Sequence, residues 1–154
     1  MKNYLVIGSP INHSLSPLLH NYWIKENNIK AVYSRKELND SELENLISDV
    51  KAGKIDGVNV TVPFKKKIIS YIDELSPEAD TTKSVNTIFL NNGKINGHNT
   101  DIYGFEKALQ NTKFNTLNKK IFILGAGGVV PSIIVALNKM KVSEITLSNR
   151  TKNK

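Results

Sequence analysis

Cysteine is absent from the 154 residues. Disulfides, thiolate metal sites and a cysteine nucleophile are therefore excluded. No apolar run approaches the roughly 20 residues of a membrane-spanning helix, so no membrane partner is expected. Met1-Lys2-Asn3 leads into only a short apolar stretch, Tyr4 to Ile7, too brief for the core of a signal peptide. The expected compartment is the cytoplasm. Arginine is scarce, confined to Arg35 and Arg150, so the formal net charge of +7 rests on lysines spread along the chain. A nucleic-acid surface concentrates its cations on one face. Here only Lys65-Lys66-Lys67 forms a cluster, and nucleic acid is not an expected partner. The histidines, His13, His20 and His98, lack metal-ligand spacing and are read as structural, so no metal is expected.

The chain is 40% hydrophobic and 23% charged, an ordinary globular composition. A chain of this length buries about 68–70% of its unfolded surface, and length alone favours one domain. The pattern describes more. Tyr4 to Gly8 reads as a buried strand ending in glycine. Ser16-Pro17 opens a helix to about Asn27, with Ser16 as N-cap and Pro17 at the first helical position. Ala31 to Glu37 suits a strand. Asp40 to Ala52 suits an amphipathic helix with Leu43, Leu46, Ile47 and Val50 on one face. Gly57 to Val62 is a second apolar strand, stopped by Pro63. Short helices follow at Lys65 to Ile72 and Pro77 to Lys83. Val85 to Leu90 and Lys94 to His98 flank Asn91-Asn92-Gly93, a hairpin signal. Asp101 to about Gln110 is another helix, and the polar stretch Lys113 to Asn118 suggests a boundary. The pattern then restarts: strand Lys120 to Leu124, a glycine turn, a helix to Met140 and strand Glu144 to Ser148. Strands alternating with helices predict an α/β class with a mostly parallel sheet, the hairpin adding an antiparallel pair.

Gly125-Ala126-Gly127-Gly128-Val129 follows a strand and opens a helix. In that setting the first glycine permits a tight turn and the second lets backbone approach a pyrophosphate at the helix N-terminus. The third fingerprint position falls on Val130, a departure from the small residue expected there. Pro131 fits, because the first helical turn makes no intrahelical N–H bond. Such a turn also closes strand-to-helix junctions that bind nothing. After the second strand an NAD site places an acid. This chain has Asn149-Arg150-Thr151 instead, and Arg150 suits a 2′-phosphate, so NADP is the expected cofactor.

Four further segments are specific together: Gly8 to Pro17 (GSPINHSLSP), Gly57 to Lys65 (GVNVTVPFK), Ser84 to Thr87 (SVNT) and Gly97 to Asp101 (GHNTD). With the glycine turn and Asn149-Arg150-Thr151, they resemble the shikimate dehydrogenase family in order and spacing. The resemblance implies NADP-dependent, reversible reduction of 3-dehydroshikimate to shikimate. It implies a three-layer α/β substrate domain followed by a Rossmann NADP domain. It implies that Ser14 and Ser16 hold the substrate carboxylate and that Thr61, Asn86 and Asp101 contact its hydroxyls. Asn59 supports them, and Lys65, paired with Asp101, is catalytic. It implies cofactor contacts at Gly125, Ala126, Gly127, Gly128, Val129, Asn149, Arg150 and Thr151. Each residue also has a plainer role open to it. Ser16 can simply cap a helix, Lys65 can be a solvated lysine, and Asp101 can be an N-cap. The chemistry is nonetheless coherent. An ordinary lysine titrates near pH 10.4, so it is protonated at neutral pH and can donate to a developing alkoxide. Ile102 departs from the glycine usual after Asn-Thr-Asp, and Val130 and Pro131 depart after the glycine turn.

On this reading residues 1–112 form the substrate domain and 113–154 begin the cofactor domain, supplying one strand, one helix and a second strand of a fold built from two βαβαβ halves. A fragment, inactive when isolated, is expected. The partners expected are the small-molecule substrate and, at full length, no other chain or one identical copy. The alternatives are a quinate or shikimate paralogue using NAD or NADP, and a non-catalytic shikimate-binding fragment.

Overall fold

A computed structural model describes residues 1–151. Strands β1 (Lys2–Gly8), β2 (Ala31–Glu37), β3 (Gly57–Val60), β4 (Glu74–Leu75), β5 (Thr87–Asn91) and β6 (Lys94–His98) form one six-stranded sheet in the order β2-β1-β3-β5-β6-β4. Strands β7 (Lys120–Leu124) and β8 (Glu144–Ser148) form a second, two-stranded sheet. The pairings β1–β2, β1–β3, β4–β6 and β7–β8 are parallel, while β3–β5 and β5–β6 are antiparallel. The class is therefore mixed α/β with parallel pairings in the majority, as the alternation of elements predicts. The hairpin turns at Asn92 (φ 50°) and Gly93 (φ 76°), the left-handed pair a two-residue turn demands.

Helices α1 (Ser16–Glu26), α2 (Leu43–Lys51), α3 (Phe64–Lys67), α4 (Pro77–Thr82), α5 (Asp101–Asn111) and α6 (Val130–Lys139) complete the fold. The predicted helix from Asp40 divides: residues 40–42 form a 3-10 turn, and α2 follows. Asn39 and Glu42 build a reciprocal capping box, so two side chains satisfy the first free N–H groups and tighten that turn. The predicted helix from Lys65 likewise tightens into a 3-10 turn over Ile68–Tyr71.

Strand periodicity sorts the residues of the large sheet onto two faces. On one face Ile7, Val58 and Val60 pack with Leu43, Leu46, Ile47 and Val50 of α2 and with Phe64 and Ile68 in the principal core. On the other face a thin cluster of Val6, Ile11 and Tyr33 meets Ile24 of α1. The polar residue inside an otherwise apolar β3, Asn59, alternates with Val58 and Val60 and so belongs to this second face. Gly8 ends β1 where nothing larger fits: a Cβ there would lie 2.3 Å from the Thr61 hydroxyl oxygen. No helix among the described residues is long and apolar enough to cross a membrane.

Candidate active site

The ends of β1 and β3, the start of α3, the loop before β5 and the start of α5 converge on one set of polar side chains. Lys65 Nζ lies 2.7 Å from Asp101 Oδ2, with side chains only 15% and 20% exposed. Thirty-six residues separate the pair in sequence. Two backbone links bring it together. The Val85 N–H donates to the Lys65 carbonyl at 2.9 Å, and the Asn86 N–H donates to the His98 carbonyl at 2.9 Å. Asn86 Nδ2 then donates to Asp101 Oδ1 at 2.8 Å. Each carboxylate oxygen thus has its own donor, and the carboxylate is held in one orientation.

Asn86 is itself fixed. The Thr100 N–H donates to Asn86 Oδ1 at 3.0 Å, and a backbone N–H is an unambiguous donor, so the amide nitrogen must face Asp101. Asn59 is fixed in the same way. Its Nδ2 donates to the Asn86 carbonyl at 3.4 Å and to Thr87 Oγ1 at 3.2 Å, leaving Oδ1 to accept from the Tyr33 hydroxyl at 2.7 Å. Burial pushes the Tyr33 phenol up to about 12, so it remains a donor throughout the neutral range. The Thr61 hydroxyl donates to the Ile7 carbonyl at 2.7 Å, which turns its lone pairs outward as acceptors.

The serine loop departs from expectation in one respect. Ser16 is not the N-cap of α1; Leu15 is, already in helical conformation, and it makes no side-chain cap bond. A capping side chain works from extended backbone, which Leu15 does not have. Ser14 takes over part of that role, its Oγ accepting from the Ser16 N–H at 3.3 Å. Arg35 Nη1 braces the loop from β2, donating to the Asn12 carbonyl at 2.6 Å and the Ser14 carbonyl at 3.2 Å. Asp101 likewise does not cap α5. Thr100 holds that position, and Asn99 Oδ1 accepts from the Asp101 N–H at 3.0 Å. The Asp101 carboxylate is consequently free for Lys65.

Asn99 is a residue whose role its motif did not reveal. Buried at 4% exposure, it directs Nδ2 to Thr82 Oγ1 (3.0 Å), the Ser84 carbonyl (2.9 Å) and Ser132 Oγ (2.9 Å). Ser132 lies in the first turn of α6, so one amide joins the turn before α5 to the helix that follows the glycine turn. In that turn Gly125 adopts φ 101° and its N–H donates to the Ser148 carbonyl at 2.7 Å. Added Cβ atoms at Gly127 and Gly128 would meet nothing within 4 Å, so the backbone there is open to approach. Val129 is the N-cap of α6, with Pro131 in its first turn. Asn149 Nδ2 donates to the Thr151 carbonyl at 2.7 Å, and Arg150 beside it is exposed. Among the described residues no group of three or more His, Asp or Glu side chains could hold a metal ion.

Residues 6–88 match the family model described as shikimate dehydrogenase substrate binding domain. The chain belongs to that family. A curated relative, shikimate dehydrogenase (NADP(+)) of Pelagibacter ubique, is 57% identical over 153 residues, covering 99% of this chain and 58% of the relative. The crystal structure of shikimate dehydrogenase 1 from Peptoclostridium difficile superposes with a TM-score of 0.93 at 31% identity, covering 100% of this chain and 57% of that one. The Thermus thermophilus shikimate 5-dehydrogenase, solved in complex with NADP(H) and shikimate, gives 0.89 at 30% identity, covering 98% and 57%. This shikimate dehydrogenase family member thus spans a little over half the length of the relatives it matches.

Proposed function

We propose that this chain carries the substrate site and the first part of the NADP site of a cytoplasmic shikimate dehydrogenase, which reversibly reduces 3-dehydroshikimate to shikimate. Residues 1–112 are the substrate domain and 113–154 begin the cofactor domain; residues 152–154 lie outside the described residues. The reading rests above all on the half-buried Lys65–Asp101 pair. Ser14 and Ser16 hold the substrate carboxylate at the start of α1. Thr61, Asn86 and Asp101 take its hydroxyls, and Asn59 supports them. Lys65, 2.7 Å from Asp101, donates its proton to the oxygen that becomes the new hydroxyl. Asp101 keeps the Lys65 side chain aimed, and Asn86 keeps Asp101 aimed.

The turn at Gly125-Ala126-Gly127-Gly128-Val129 suits a dinucleotide, because its glycines leave room for a pyrophosphate against the backbone. Arg150, flanked by Asn149 and Thr151, suits a 2′-phosphate. NADPH, when bound, supplies the hydride. The partners are small molecules alone, with neither nucleic acid nor membrane, and the full-length protein is a monomer or a homodimer.

Calorimetric titration of the chain with shikimate and quinate, and with NADP+ and NAD+, tests this reading. Shikimate and NADP+ are expected to bind without turnover, and turnover is expected only at the relatives' full length. Binding of quinate and NAD+ in preference would favour the paralogue. Failure of Asp101→Ala to weaken shikimate binding would refute the assignment of the site.

A further inference from the structure

One continuous line of hydrogen bonds runs from the underside of α1 to the Lys65–Asp101 pair. The Tyr33 hydroxyl donates to Asn59 Oδ1 at 2.7 Å, and Asn59 Nδ2 donates to Thr87 Oγ1 at 3.2 Å. Thr87 Oγ1 donates to Asn86 Oδ1 at 3.0 Å, and Asn86 Nδ2 donates to Asp101 Oδ1 at 2.8 Å. Every donor points the same way, toward the carboxylate, and Lys65 closes the far side at 2.7 Å. Two links are anchored by backbone groups that permit no reversal. Thr100 N–H fixes the Asn86 amide, and the Asn86 carbonyl fixes the Asn59 amide.

The near end of the line is bolted to α1. Asn21 Nδ2 donates to the Tyr33 carbonyl at 2.7 Å, and the Tyr33 N–H donates to Asn21 Oδ1 at 3.0 Å. The His20 ring stacks on the Tyr33 ring, centroids 4.2 Å apart and 3° from parallel. Two consecutive residues of α1 therefore grip the backbone and the ring of one tyrosine. The same helix begins at Ser16, on the serine loop that Arg35 braces.

We propose that Tyr33 and Thr87 are positioning residues that fix the distance and orientation between the serine loop and the Lys65–Asp101 pair. They act through the Asn59 and Asn86 amides and touch no reacting atom. This inference rests on the shikimate reading above for its ligand, and on the hydrogen-bond line alone for its geometry. A site that must hold one end of a small ring while donating a proton at the other needs both ends on a rigid frame. In this chain the frame is polar on the face opposite the principal core, and Tyr33 is its fixed post.

The test uses the intact chain, with side-chain amide NMR signals as one readout and shikimate titration as the other. Tyr33→Phe removes a single oxygen. It is expected to shift the Asn59 and Asn86 side-chain amide signals and to weaken shikimate binding about fivefold, the worth of one net hydrogen bond. In an Asn59→Ala background the same change is expected to have no further effect on affinity. Thr87→Val is expected to uncouple Asn86 in the same way, and Thr87→Ser to restore it, which a purely structural threonine would not require. An unmoved Asn86 signal in both Tyr33→Phe and Thr87→Val overturns the proposal, as does an equal loss of affinity in the Asn59→Ala background. If the wild-type chain binds no shikimate while the Asn86 signal still responds to Tyr33→Phe, the shikimate reading falls and the positioning line stands.

Discussion

Asn99→Ala removes more than its exposure and size suggest. The wild-type amide presents two protons to three acceptors, Thr82 Oγ1, the Ser84 carbonyl and Ser132 Oγ, and its oxygen accepts from the Asp101 N–H. Thr82, Ser84 and Ser132 are all buried. Water cannot replace the amide without entering a closed site, so the partners bear a desolvation penalty of about 1–3 kcal/mol apiece. Some of them re-pair locally, since the Thr82 hydroxyl also donates to the Glu78 carbonyl at 2.7 Å. The net cost is then about 3 kcal/mol. For a chain of this size about 1 kcal/mol corresponds to roughly 2–4 °C, so a fall in Tm of about 6–12 °C is expected by differential scanning calorimetry. Ser132→Ala removes one partner and is expected to cost about 1 kcal/mol, or roughly 2–4 °C. In the double variant the serine change is expected to add almost nothing, because its partner is already gone. A Tm for Asn99→Ala at or above that of Ser132→Ala, or strict additivity of the two, would refute the account of Asn99 as the shared tie.

Lys65→Met in the full-length protein is expected to lower kcat by at least a hundredfold, the scale of general acid catalysis, while changing the shikimate Kd far less; equal losses, by steady-state kinetics and calorimetry, would make Lys65 a binding group only. Gly8→Ala is expected to displace Thr61 by forcing a Cβ to 2.3 Å from its hydroxyl oxygen. Overpacking of this kind costs about 1–3 kcal/mol, read as a lower Tm together with weaker shikimate binding. The Asp73 carboxyl is held below the ordinary carboxylate range first by the Ile95 N–H at 2.7 Å and then by the Lys51 and Lys94 charges. A depressed folded-state value stabilises the fold above the unfolded value of about 3.9, and that stabilisation is lost as pH falls toward the folded value. Asp73→Asn is therefore expected to flatten the acid limb of Tm against pH, and an unchanged acid limb would argue against this role.

Much of the architecture was legible from periodicity. The β1 run, the Asn92-Gly93 hairpin and the β7–α6–β8 unit each carry a local signal, and each sits where that signal places it. The two-residue strand β4 carries none, since Glu74 and Leu75 become a strand only by pairing with Asn96 and Gly97. The start of α1 has a similar origin: that Leu15 and not Ser16 holds the N-cap position depends on a backbone angle that composition does not encode. The candidate site was legible through resemblance. Nothing local joins Lys65 to Asp101 across 36 residues. Tyr33 in a strand reads as core, which it is, and its hydroxyl partner is invisible without the sheet register. Asn99 lies inside the Gly97–Asp101 motif, yet its buried partners come from α4, the following loop and α6.

Strand β3 and its continuation place Val58 and Val60 in the principal core, with Asn59 between them on the opposite face. The side-chain period of a strand is two, so a slip of one residue exchanges the whole set. Asn59 would then enter a dry core without partners, and the valines would face the polar frame. Misregistered molecules would thereby be destabilised and lose the Asn59 hydrogen-bond frame by one displacement. A population that passes a folding check, such as protease resistance, has in the same measurement passed a check on the placement of Asn59. Shikimate-binding stoichiometry and fold-dependent protection are therefore expected to count the same fraction of molecules in any preparation.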